Sequence, residues 1–203
     1  MNRRILFSVF AAALSCSTAI VFAQEQASAP TFKEGDTWQI NISRQGQVGS
    51  STDQTEGLYE IVYSQGTAKA FKIEGGQKTE VDGVLGVIGK NEQRPDLKFP
   101  LSVGQKWNYE ITARPAGARR DQRRSVEVAV VGQEQVTTPA GSFKTYKLVR
   151  SESWSAGIAG NVTNSASTFF YSPEVRSIVK RVTENSNNPG ITTVELIKFT
   201  PGN

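Results

Sequence analysis

Four glutamates, Glu110, Glu127, Glu152 and Glu195, are the side chains best suited to chemistry in this 203-residue chain, which has no histidine and one cysteine, Cys16. A pair of carboxylates suffices for glycoside hydrolysis, one as acid and the other as base or nucleophile. Each of the four, however, sits where apolar and polar residues alternate, and glutamates on such a strand take the solvent side. No catalytic residue is therefore expected, and the chain reads as a non-enzyme. Serine–histidine and cysteine–histidine catalysis, ordinary zinc and copper sites, haem attachment and iron–sulfur clusters all need imidazole or thiol, so they drop out too. Calcium could use carboxylate oxygens, but no run has the spacing of an EF-hand loop. Neither a metal nor a cofactor is expected. Asn161-Val162-Thr163 has the form of a glycosylation acceptor, which a bacterial host would leave unused.

A basic cluster comes next. Arg114, Arg119, Arg120, Arg123 and Arg124 share the span 114–124 with one acid, Asp121. The whole chain carries 23 basic and 19 acidic residues. Outside the cluster and the N-terminal Arg3-Arg4, acids slightly outnumber bases. Two readings stand for the cluster: a solvated hairpin tip, or a surface docking anionic groups such as lipid head groups, cell-wall polymers or an acidic partner. Guanidinium forks suit phosphate and carboxylate. Nucleic acid is disfavoured, because outside this cluster and Arg3-Arg4 the chain is slightly acidic. Aromatic residues form a third set, with Tyr109, Tyr146, Phe169 and Phe170 the candidates for an apolar-ligand face. Trp38 and Trp107 each open a strand just after a glycine and read as core. In Phe169-Phe170-Tyr171, consecutive aromatics must point to both faces of a strand.

The elements that position these groups are strands. Trp38, Ile40 and Ile42 alternate with polar residues, as do Trp107, Tyr109 and Ile111, and Val126, Val128 and Val130. Further strands are predicted over Leu58–Tyr63, Ala68–Ile73, Ser142–Trp154, Ser167–Tyr171, Ser177–Thr183 and Thr192–Phe199. Turns are marked by Ser64-Gln65-Gly66-Thr67, Glu74-Gly75-Gly76-Gln77, Thr138-Pro139-Ala140-Gly141 and Tyr171-Ser172-Pro173-Glu174-Val175. The fold class is all-β: a curved antiparallel sheet of about ten strands, as an open barrel or a sandwich. Gly35-Asp36-Thr37-Trp38 and Gly104-Gln105-Lys106-Trp107 echo one another, suggesting two related halves, about 32–98 and 99–203, joined by a crossover over Lys90–Lys98.

Ahead of this single domain (32–203), Arg3-Arg4 and the apolar run Ile5–Phe22 read as a signal peptide over 1–23, with Ala23 at the cleavage site. Residues 24–31 read as a flexible leader. An uncleaved anchor and lipidation at Cys16 are the alternatives. Serines and Thr18 weaken the first, and Ala13, where a lipobox has leucine, weakens the second. The expected location is periplasmic or secreted.

From Phe99 onward the chain resembles a group of bacterial exported envelope proteins of unknown function. The resemblance is carried by Phe99-Pro100-Leu101-Ser102-Val103-Gly104-Gln105-Lys106-Trp107, by the Pro-Ala-Gly-x-Phe phrase Pro139-Ala140-Gly141-Ser142-Phe143, and by the Tyr-x-Pro phrase Tyr171-Ser172-Pro173. That group is similar to the open β-barrels of the LolA and LolB lipoprotein carriers. The resemblance implies an exported, LolA-like antiparallel fold and transfers no activity. The expectation is a monomeric, non-catalytic envelope domain holding a lipid or other apolar ligand in a sheet concavity, with the arginine tip near its anionic end. The alternative is a structural or protein-interaction module that uses a sheet edge or that tip.

Overall fold

The alternating segments form strands, and their register shows which side chains share a face. The computed structural model describes residues 25–46, 56–81, 88, 95–113, 121–156, 161–185 and 190–203. The expected signal segment with Cys16, together with Arg114, Arg119 and Arg120, lies outside the described residues. The strands are β1 (Thr37–Gly46), β2 (Gly57–Ser64), β3 (Thr67–Glu74), β4 (Gln77–Val81) and β5 (Lys106–Ala113). They continue as β6 (Gln122–Thr138), β7 (Gly141–Ala156), β8 (Asn161–Ser172), β9 (Ser177–Asn185) and β10 (Gly190–Thr200).

All ten form one antiparallel sheet in the order β4-β3-β2-β1-β10-β9-β8-β7-β6-β5. Two meanders, β1 to β4 and β5 to β10, run outward from the β1–β10 pair. Among the described residues β4 and β5 are edges that do not pair, so the sheet is open rather than a closed barrel. β4 and β5, consecutive in the chain, are thus the two edges of the sheet.

One face, here called inner, carries the core. Trp38, Ile40 and Ile42 stand beside Ile61 and Tyr59 of β2 on one side and Phe199, Leu196 and Val194 of β10 on the other. Val130, Leu148 and Phe169 continue that face across β6, β7 and β8. These residues are buried except the partly buried Phe199, and each buried aliphatic contributes about 1.5–3 kcal/mol. Inner residues are covered by two segments that are not strands. Ala27 pairs with Leu101 through reciprocal backbone bonds of 2.9 and 2.8 Å. Tyr146 donates its hydroxyl to Glu25 O at 3.1 Å, and Phe99 packs 5.2 Å from Tyr171. Phe32 lies edge-on to Trp38 at 5.7 Å. Part of the leader expected at 24–31 is thus packed against the domain.

The glycine–tryptophan echo is a shared corner. Gly35 and Gly104 adopt φ of +85° and +89°, which glycine reaches without steric cost. Each donates its N–H across to the neighbouring strand, Gly35 to Tyr63 O (2.9 Å) and Gly104 to Val130 O (2.8 Å). The next side chain in each corner accepts from the backbone three residues earlier, Asp36 from Lys33 N and Gln105 from Ser102 N. Both indoles donate to a carbonyl, Trp38 to Val175 O at 2.7 Å and Trp107 to Pro95 O at 2.8 Å. Only the first is fully buried. Trp38→Phe is accordingly expected to lower stability by about 1–3 kcal/mol, because a buried carbonyl loses its donor. Trp107→Phe should cost less, since water can replace the indole. Urea midpoints of the two variants check the ordering.

β6 and β7, with 17 and 16 residues, are long enough to reach roughly 55 Å if straight. They bend instead. A bulge between Val130 and Gly132 shifts the register, and beyond it Val136 and Phe143 are buried. The hairpin tip reaches β10, where Ala140 N donates to Leu196 O at 3.3 Å. The sheet therefore folds over on itself.

Candidate functional site

Along β7 the inner-facing residues run Tyr146, Leu148, Arg150, Glu152 and Trp154, so the row changes from apolar to charged midway. A guanidinium at that position is tolerable only with carboxylates beside it, since an unpaired buried charge is costly. Two are supplied. Asp96, from the segment leading into β5, accepts from Arg150 Nε at 2.8 Å. Glu152 Oε2 lies 2.6 Å from Arg150 Nη2 as an ion pair, though not aligned for a hydrogen bond. Glu152 Oε1 also accepts from Arg124 Nη1 at 2.8 Å, and the Arg124 guanidinium stands 4.8 Å over the Trp154 ring. Tyr109 completes the group by donating its hydroxyl to Asp96.

The electrostatics follow from burial. Arg150 and Glu152 side chains are only 8% and 7% exposed. Burial works to raise the Glu152 carboxyl, but Arg150 and Arg124 outweigh it and hold that carboxyl below its ordinary value. Burial, reinforced by Asp96, pushes the Tyr109 hydroxyl upward, so it remains a donor. Burial opposes the charge on Arg150, yet Asp96 and Glu152 more than offset it and keep the guanidinium protonated.

The register carries this polar row across the sheet. Arg150 is opposite Ser167, Ser167 opposite Thr183, Thr183 opposite Thr192, and Thr192 opposite Arg44. Ser167 and Thr183 hydroxyls are bonded at 2.9 Å. Arg181, opposite Phe169 and Val194, belongs to the same face. The last residues of β1, β5, β7 and β9 all lie at the end of the sheet to which this row leads. On the outer face, Ser125, Glu127, Ser151, Ser153, Asn164 and Glu184 help line a shallow depression of about 490 Å³.

The residues singled out from sequence are dispersed. Arg123 is exposed on the outer face and pairs with Glu110, whereas Arg124 points inward to Glu152. Tyr146, Phe169 and Phe170 are packed at 4%, 4% and 8% exposure. Phe169 and Tyr171 share the inner face, and Phe170 points to the outer face beneath the Lys147 ammonium. Tyr109 is half-buried in the charged group. Of the four glutamates expected on the solvent side, Glu110 and Glu127 are exposed there, and Glu195 is partly buried against Lys180 at 2.7 Å. Glu152 is the exception: it shares the parity of Leu148 and is buried because two arginines neutralise it. Sequence reading missed Asp96 and Arg150. The parity Leu148-Arg150-Glu152 was the available signal, while Asp96 gave none, coming from outside any strand.

No family model matches the chain, and no curated protein matches its sequence. Among solved structures it is similar to a protein from Parabacteroides distasonis assigned as a lipoprotein, at 14% identity and TM-score 0.45, over 87% of this chain and 100% of that one. It is also similar to an exported protein with a YmcC-like fold from Bacteroides fragilis, at 13% identity and TM-score 0.38, over 86% and 99%. A third is the hypothetical lipoprotein YmcC from Escherichia coli, at 11% identity and TM-score 0.49, over 82% and 85%. Likeness at this level transfers neither ligand nor activity.

Proposed function

We propose that the chain is an exported, non-catalytic binding domain of the cell envelope that recognises an anionic group at the arginine-bearing end of its sheet. Export is supported by Arg3-Arg4 and the apolar run that follows. The observation that carries the binding reading is the register: Arg123 and Arg124, at the start of β6, stand at the same end of the sheet as Arg44 near the end of β1, and the sequence adds Arg114, Arg119 and Arg120 between β5 and β6. Guanidinium groups and hydroxyls together suit phosphate or carboxylate. With Tyr146, Phe169 and Phe170 packed, the reading rests on contact with a charged head group, not on an acyl chain enclosed by those rings.

Co-sedimentation with phosphatidylcholine vesicles, with and without phosphatidylglycerol, tests it. Binding is expected only to the anionic vesicles and should weaken as salt rises. Replacing Arg119, Arg120 and Arg123 with serine should reduce it by about a hundredfold, at about 1 kcal/mol per arginine. Equal recovery on neutral vesicles, or a triple variant that binds like the parent, would sink the proposal.

A further inference from the structure

The two open edges differ in what they offer a partner. β4 has five residues, and its inner-facing Gln77 and Thr79 are exposed and polar. β5 has eight residues, and its inner row of Trp107, Tyr109 and Ile111 continues the apolar face of Val126 and Val128. Among the described residues, β6 is the only strand beside it. Gln105 O accepts from Val130 N at 2.9 Å, so the backbone groups of Gln105 face β6. By alternation those of Lys106, Asn108, Glu110 and Thr112 point away from the sheet, and these four side chains are exposed on the outer face.

We propose that β5 pairs antiparallel with β5 of a second copy of this chain, about a twofold axis through Asn108. The sequence of the edge is self-complementary in this register. Lys106 falls opposite the partner's Glu110 and Glu110 opposite the partner's Lys106, giving two ion pairs on the outer face that add to the pair Glu110 makes with Arg123 of its own chain. On the inner face Trp107 falls opposite the partner's Tyr109, twice, in the closely spaced positions where side chains meet best. The outward backbone groups of Lys106, Asn108 and Glu110 are those the pairing needs. Such an isologous contact closes after two copies, so it joins two ten-stranded sheets and leaves β4 edges outermost. The pairing goes beyond the proposed anion site, which does not require it, and it replaces the monomer expected from sequence.

Sedimentation velocity across a concentration series reads the result. The parent chain should shift from monomer to dimer with concentration. Asn108→Lys sets two like charges face to face on the axis, beside Glu127 of its own chain, and should weaken dimerisation about tenfold or more while leaving the melting temperature unchanged. Lys106→Glu and Glu110→Lys should each weaken it similarly, by turning both ion pairs into repulsions. Mixing those two variants should restore a dimer, because the new carboxylate at 106 then faces the new ammonium at 110. A parent chain that stays monomeric to its solubility limit overturns the proposal. So does a dimer indifferent to Asn108→Lys, or a mixture no more dimeric than its components.

Discussion

Asp36→Ala is expected to cost about 3–5 kcal/mol, the largest loss from any single substitution of a side chain in this fold. Asp36 is completely buried. Its two oxygens accept from Arg176 Nη2 at 2.6 Å, Arg176 Nε at 3.1 Å, Lys33 N at 2.8 Å and Gly202 N at 2.8 Å. One carboxylate therefore ties the first corner, the β8–β9 turn and the C-terminal tail together. The tail can approach only as glycine, because a Cβ on Gly202 would stand 2.0 Å from Glu34 O. Arg176, held at φ +56°, also lies 5.3 Å over the Phe199 ring. Alanine at position 36 strands the guanidinium and two backbone donors at once. Urea denaturation of parent and variant reads the cost as a lower midpoint at unchanged slope. A loss below about 1 kcal/mol would mean that the pair does no more than offset its own desolvation.

Arg150→Met should be nearly as damaging, again about 3–5 kcal/mol, because it leaves Asp96 and Glu152 facing each other without the cation between them. The same group shapes the response to acid. Glu152 is held below its ordinary value of 4.5, so near that pH the unfolded chain binds more protons than the folded one. Its stabilising contribution is complete above about pH 4.5 and is lost as pH falls through the depressed folded value. Glu152→Gln should therefore melt at lower temperature than the parent at neutral pH, with the gap narrowing on acidification. Thermal melts from pH 7 to pH 3 check this, and parallel curves for the two proteins would contradict it. Glu60 shifts in the same direction: burial opposes it, and Lys78 and Gln39 outweigh burial. Its ammonium partner is half exposed, so Glu60→Gln should show a weaker form of the effect.

Strands announced by period-two apolar residues were legible: Trp38–Ile42, Trp107–Ile111 and Val126–Val130 lie inside β1, β5 and β6. Leu58–Tyr63, Ala68–Ile73, Ser142–Trp154, Ser167–Tyr171, Ser177–Thr183 and Thr192–Phe199, marked by β-branched and aromatic residues, also fall in strands, whereas segments poor in both were not legible. β4 reads Gln-Lys-Thr-Glu-Val and is exposed on both faces, so nothing in its pattern distinguishes it from a loop. The first half of β8, Asn161–Ala166, and the end of β6, Gln133–Gln135, are strands because neighbours hydrogen-bond to them, not because they bury apolar surface. The charged group fared likewise. Glu152 was visible as a strand carboxylate, but the expectation that it faces water followed from residue type, whereas parity with Leu148 turns it inward.

Local alternation, turn residues and the paired glycine–tryptophan corners are properties of neighbouring residues, and they sufficed for an antiparallel all-β chain of about ten strands. What joins β10 to β1, keeps β4 and β5 apart, and brings Asp96 to Arg150 or Asp36 to Arg176 involves residues 54 and 140 positions apart. Such contacts depend on loop closure and on which charges can be neutralised once buried, and only the assembled sheet decides both.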